Sequence, residues 1–329
     1  MENKIYLRCK PNVYIYHYPI ISQTTITMIK YLGFGLNINS EIEFPELLEA
    51  DFMTPDIEIL LGKVPEIKDS INFSSPNFEY NINDNEFAFK VKNTAFYYAT
   101  SGRKIIVEPI GEIKKMRDIR LYILATVMAA ILLQRRLMPL HSSAISYHGE
   151  LYCICGDSGA GKTTTVSYLS NKGYDIFSDD ILVLNKDKSN SITACASYPM
   201  IKLWSDTLDD MHCSKYSEKS FPIMSGMDKY GFFFHKRFNT NRLMIKKIFI
   251  IKRQECHDIL IKEIKGFEAF TSLMKQIYRP MLIQSNSLKQ LCFMIISNLA
   301  KDSKIYEISR PINCVPKTLS NQIESIILN

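Results

Sequence analysis

Three observations predict an α/β chain built around a phosphate-holding turn. The first is the run Gly156-Asp157-Ser158-Gly159-Ala160-Gly161-Lys162-Thr163, which fits the G-x-x-x-x-G-K-[ST] pattern in full. The second is the apolar stretch Leu151-Tyr152-Cys153-Ile154-Cys155 before it, the length of a buried strand. The third is residues 163–171, free of proline and glycine, with Val166 and Leu169 three apart and Gly173 as a helix stop. Glycines let a backbone turn around an anion so that successive N–H groups point at it. A helix starting at such a turn adds its partial positive charge. Lys162 is placed to reach β/γ-phosphates, and the Thr163 hydroxyl to ligate Mg²⁺.

The other elements follow in chain order. Residues 1–112 read as a separate, mostly β unit, with strands expected over 4–9, 57–62, 87–91, 95–100 and 104–108. Asn83-Asp84-Asn85 and Ser101-Gly102 supply turn chemistry between some of them. Glu41, Glu43, Glu46, Glu49 and Asp51 read as a solvated acidic face. Residues 113–329 form the second unit. It opens with a helix over 113–137 that contains the apolar run 121–133 and is closed by Pro139. That run is too short for a bilayer, so a buried core helix is expected rather than a membrane element. A strand over 144–147, a turn at His148-Gly149 and the strand before the loop come next. Residues 174–184 read as strand-like around a central acidic pair, 186–191 as a polar loop and 248–251 as a buried strand. A helical region over about 267–300 with a break at Pro280 closes the account.

Composition narrows the classes. The 329 residues are 46% hydrophobic, ample for a packed core, and 40 basic against 34 acidic residues make a mixed surface. A nucleic-acid binder concentrates its basic charge, so no such partner is expected, and Lys246-Lys247 and Lys252-Arg253 read as solvated faces. The opening residues alternate like a strand rather than forming a secretory h-region, and the eight cysteines lack paired zinc spacing. Reduced thiols in a cytoplasmic protein are expected. Oligomeric state is left open.

The residues that carry chemistry come after the loop. Asp179-Asp180 is the first acidic pair beyond the loop helix, and a nucleotide-bound Mg²⁺ needs a carboxylate nearby. On a strand the two side chains point opposite ways, so one faces the metal and the other an incoming hydroxyl as base. Both Asp179 and Asp180 are therefore metal and base candidates, and the residues do not separate the roles. His141 precedes the strand expected beside the loop strand and can face a γ-phosphate or an acidic group. Phosphoryl transfer also needs positive charge on the transferring group, and Lys202, Lys229, Arg242 and Arg279 are candidates that charge alone does not rank.

Several segments together resemble the HPr serine kinase family. They are Leu140-His141-Ser142-Ser143-Ala144, the loop through Thr164, Gly173-Tyr174 and Ser178-Asp179-Asp180. The chain is most similar to the branch of HPr-kinase-related proteins that includes lasso-peptide kinases, as Pro55-Asp56-Ile57-Glu58-Ile59 with Gly62-Lys63-Val64-Pro65 and Arg117-Asp118-Ile119-Arg120 also indicate. The resemblance implies a P-loop kinase domain of the HPr kinase/PEP carboxykinase-like type beside a smaller β domain. It further implies ATP and Mg²⁺ as cofactors, the loop residues Gly156 to Thr164 as the nucleotide site, and His141 near the γ-phosphate. Asp179 and Asp180 would share the base and metal roles. Lys202 and Lys229 fall in segments similar to the family's, which raises them above Arg242 and Arg279. One departure is informative: the bifunctional HPr kinases carry Glu where this chain has Thr164, which argues against phosphorolysis and against HPr as substrate. The expectation is a kinase moving the γ-phosphoryl of ATP to a hydroxyl, the C-terminal Ser of a lasso-type precursor peptide. The alternatives are a nucleotide-binding regulatory module, an ATPase without peptide transfer, or a kinase of HPr or a small metabolite.

Overall fold

The computed structural model describes residues 27–68, 70–111, 116–187, 190–205, 221–223 and 228–329. The strand expected over 4–9 lies outside these residues. The molecule is a mixed α/β structure, rich in sheet, with two nine-stranded sheets, a three-stranded sheet and few helices.

The first sheet lies within residues 29–109. Its strand order is Leu48–Glu49, Ile29–Gly33, Leu36–Ser40, Ile57–Leu61, Lys104–Pro109, Ala95–Thr100, Glu86–Val91, Phe78–Ile82 and Ile71–Ser74. Strict alternation in Glu86–Val91 buries Phe87, Phe89 and Val91 while their neighbours stay half-buried, as a one-sided sheet requires. Phe87, Phe89, Tyr80 and Tyr97 stack along that face, with ring centroids 5.7–6.0 Å apart. The expected acidic face is corrected at one position. Glu46 is buried and accepts two hydrogen bonds from Arg120 Nε (3.0 and 2.9 Å), tying the sheet to the helix that follows.

That helix runs through Met116–Tyr122, a π-helical turn over Ile123–Val127 and Met128–Gln134. Its apolar run packs inside the larger core, where Tyr122 meets Phe89 and Tyr97 of the first sheet. Among the described residues, no helix is long and apolar enough to cross a membrane. Pro139 does not end this helix. It stops at Gln134, the chain reverses at Arg136 (φ 63°), and Pro139 lies in the edge strand Met138–Leu140, where its missing N–H costs no ladder bond.

The second sheet positions the site. Its centre is three parallel strands, Glu150–Gly156, Leu243–Arg253 and Lys304–Arg310; on one side Ser142–Tyr147 pairs antiparallel with Glu150–Gly156, and Asp175–Ser178 pairs antiparallel with Ser142–Tyr147. Alternate residues feed opposite faces. Cys153, Cys155, Ile248 and Ile250 enter the larger core, while Ile154, Phe249, Ile251 and Ile308 pack against Val166 and Leu169 of the loop helix and Ile323 of Pro316–Leu328. Cys153 and Cys155 do share a face, as buried free thiols.

Two other expectations are corrected. Residues 174–184 are two strands, Asp175–Ser178 and Leu182–Lys186, which belong to different parts of the sheet and are separated at Asp179-Asp180. A pair of carboxylates in an unbroken ladder would be buried without partners; the break lets both reach donors. The helical region expected over about 267–300 is present with its break at Pro280, and two further elements follow it. After Gly266–Met274, a 3-10 turn at Pro280–Leu282 and Asn286–Asp302 come the strand Lys304–Arg310 and the helix Pro316–Leu328. The strand escapes a period-two reading because Ile305 and Ile308 go to opposite cores. Lys247, expected at the surface, is buried and donates from Nζ to the Ile326 carbonyl.

Candidate functional site

The loop between Glu150–Gly156 and Lys162–Asn171 sits at the carboxyl ends of the parallel strands, where a cleft of about 410 Å³ opens. Gly156 is required by space as well as by conformation: with φ at 137°, a Cβ there would lie 2.4 Å from the Ile251 carbonyl oxygen. Gly161 (φ 107°) is the left-handed N-cap of the helix, whose first turn holds no acidic residue. The positive end of a ten-residue helix therefore opens on the cleft. Ser158, Gly159, Gly161, Lys162, Thr163 and Thr164 line it. Asp157 is exposed and Ala160 buried, and the Ala160 N–H closes the turn onto the Asp157 carbonyl (3.1 Å).

Lys162 is nearly buried. Its Nζ donates to the carbonyls of Gly156 (2.7 Å) and Asp157 (3.1 Å), and burial pushes its pKa down from the usual lysine value. Three donors converge on Asp179: Ser143 Oγ (2.6 Å) and Thr163 Oγ1 (2.8 Å) on Oδ1, and the Lys202 backbone N–H (3.0 Å) on Oδ2. Asp180 is turned elsewhere by its left-handed backbone (φ 71°). Lys202 Nζ donates to its Oδ2 (2.9 Å), and His141 Nδ1 lies 3.1 Å from its carbonyl and 3.5 Å from Oδ1. Burial works against ionising Asp180, but the Lys202 charge outweighs it and holds the carboxyl well below the usual carboxylate range. Burial likewise disfavours the Lys202 ammonium, and Asp180 overrides it, so Lys202 stays charged. Burial and then Lys162 push the His141 pKa below its ordinary value. A neutral imidazole whose Nδ1–H donates to the Asp180 carbonyl leaves Nε2 as an acceptor.

The sequence candidates thus separate. Lys162, Thr163, Asp179, Asp180, His141, Lys202 and Lys229 all line the cleft. Lys229 stands on the three-stranded sheet opposite Trp204, with Nζ 5.5 Å from its ring centroid. Arg279 instead lies over Tyr278 (5.2 Å), and neither it nor Arg242 lines the cleft.

Three contributors were not singled out for any role. Ser143 orients Asp179. Gln276 accepts from the Gly156 N–H through Oε1 (3.0 Å) and from the His141 N–H through its carbonyl (2.7 Å), bridging the loop entrance to the histidine. Arg310 donates to the loop carbonyls of Ala160 and Gly159. No local pattern marks Gln276 or Arg310; both arrive from segments more than 100 residues away.

A cation would find hard oxygen donors at Thr163 and Asp179, the small ligand set that Mg²⁺ takes when phosphates supply the rest. Among the described residues, no group of three or more His, Cys, Asp or Glu forms a metal site by itself.

No family model and no curated protein matches the chain. Among solved structures, the HPr(Ser) kinase/phosphatase from Coxiella burnetii is similar at 11% identity and a TM-score of 0.29, over 58% of this chain and 96% of that one. A likeness at that level fixes neither family nor activity.

Proposed function

We propose that the chain is an HPr-kinase-like phosphotransferase that moves the γ-phosphoryl of ATP to a hydroxyl. The observation that carries this is the division of labour between adjacent carboxylates. Asp179 shares the Thr163 hydroxyl at the helix N-terminus, while Asp180 is set apart against Lys202 and His141. Thr163 and Asp179 would hold Mg²⁺, which would supply positive charge to offset that of the phosphates. Lys162 and the loop amides take the phosphate oxygens. Asp180, kept ionised by Lys202, accepts the proton of the acceptor hydroxyl as its oxygen bonds to the γ-phosphorus and the bond to ADP breaks. Lys202 and Lys229 supply charge beside the transferring group. Neutral His141 positions Asp180 through its carbonyl and offers Nε2 to the acceptor.

The finer reading rests on sequence resemblance: a precursor peptide of the lasso type, phosphorylated on its C-terminal Ser, in the cytoplasm. Thr164 in place of the bifunctional enzymes' Glu supports a one-way kinase. The test is mass spectrometry of a peptide ending in Ser after incubation with ATP and Mg²⁺. A phosphoryl adduct on the terminal residue is expected. Asp180→Asn should cut transfer by about 10³-fold while nucleotide binding persists. ADP release without a labelled acceptor would favour an ATPase, and transfer at the wild-type rate in Asp180→Asn would remove the base assignment.

A further inference from the structure

Arg310 ends the parallel strand Lys304–Arg310, is largely buried, and lines the cleft beside the phosphate loop. Among the described residues no carboxylate pairs with it. Its partners are four backbone carbonyls. Nε donates to Ala160 (2.8 Å), Nη2 to Gly159 (3.0 Å), and Nη1 to Pro311 (3.0 Å) and Ile312 (3.3 Å). Burying a charge against carbonyls alone is costly, and burial lowers its pKa from the usual arginine value. A fork of fixed geometry is what such an arrangement needs, and lysine cannot supply it.

We infer that Arg310 is a positioning residue of the nucleotide site, acting through the loop carbonyls that it holds. In a planar trans peptide the carbonyl and the following N–H point opposite ways. Holding the Ala160 carbonyl on the guanidinium therefore sends the Gly161 N–H the other way, and Gly161 lines the cleft. The same side chain grips the Pro311 and Ile312 carbonyls, so it also ties the loop to the segment after the strand, whose Ile312, Cys314 and Pro316 form part of the cleft wall. The ligand class served is a nucleoside polyphosphate: anionic groups on the amides, an apolar ring system against that wall. This inference rests on the phosphotransferase reading.

The test is titration of the full chain with a fluorescent adenine nucleotide, alongside thermal unfolding and, at saturating nucleotide, the transfer rate. Arg310→Lys keeps the charge and loses the fork. It is expected to weaken nucleotide binding by about tenfold or more, with kcat at saturation within about threefold of wild type. In Arg310→Ala, binding is expected to recover when millimolar guanidinium is added, an effect that general destabilisation does not produce. If Arg310→Ala does not fold, Arg310→Lys decides alone. Binding by Arg310→Lys within about twofold of wild type would overturn the inference and leave the nucleotide reading intact. A wild-type chain that binds no nucleotide would overturn both.

Discussion

The two nine-stranded sheets bury different things. The first is packed with rings, Phe87, Phe89, Tyr80 and Tyr97; its ion pairs Lys30–Asp51 and Lys90–Glu79 lie exposed, and its one buried carboxylate named above, Glu46, is paired with Arg120 outside the cleft residues. Around the second, four charged side chains are buried: Lys162 on the loop helix, Asp179 and Arg310 at strand ends, and Lys202 on the neighbouring three-stranded sheet. Apolar burial is favourable wherever it occurs, whereas a buried charge is tolerable only with a partner in place. Each of these four has such partners. The contrast teaches where the molecule keeps its stability and where it accepts a cost for chemistry.

Lys202→Met should break this contrast most severely. The Asp180 side chain, only 27% exposed, loses its main counter-charge, and removal of one partner from a buried pair costs about 4 kcal/mol. Urea unfolding should report that loss, and transfer should be abolished even in the fraction that folds. Wild-type stability would show that His141 and Lys229 suffice to hold the carboxylate.

Phe87→Ala sharpens the comparison from the other side. Emptying a ring site in the first sheet should cost about 3 kcal/mol, while kcat per folded molecule stays unchanged. A fall in kcat would mean that the aromatic sheet sets the geometry of the cleft.

The smallest effect belongs to His141. Its folded pKa is lowered, so as pH falls below about 6.5 the unfolded chain takes up a proton first and stability declines until the folded pKa is reached. His141→Asn should flatten the fall in melting temperature across that window, a difference below about 1 kcal/mol. An unchanged slope would place the titration elsewhere.

The strand, loop and helix at 151–171 were legible because every signal is local: apolar run, glycines, lysine, helix without breakers. Asp179 and Asp180 were legible as a pair but not as a break. The apolar residues around them read as one strand, and only a left-handed Asp180 directs the two carboxylates to different partners. That same conformation makes Asp180→Asn a clean substitution, since Asn tolerates it as readily as Asp. Gln276 and Arg310 were not legible, because their roles come from hydrogen bonds across 120 and 150 residues of chain. The strand carrying Arg310 was hidden for a related reason: buried on both faces, it has no alternation to read.

The parallel centre of the second sheet also dictates an order of events. Its third strand is Lys304–Arg310, which among the described residues pairs with the long strand Leu243–Arg253 and with Leu260–Ile264. On a ribosome, the loop sequence emerges roughly 150 residues before the guanidinium that braces it, and contacts so distant close late. The nascent chain therefore carries an unbraced loop until Arg310 has emerged. On the proposed reading, nucleotide capture waits for that strand to dock, and a ribosome-bound chain without it would leave triphosphate alone.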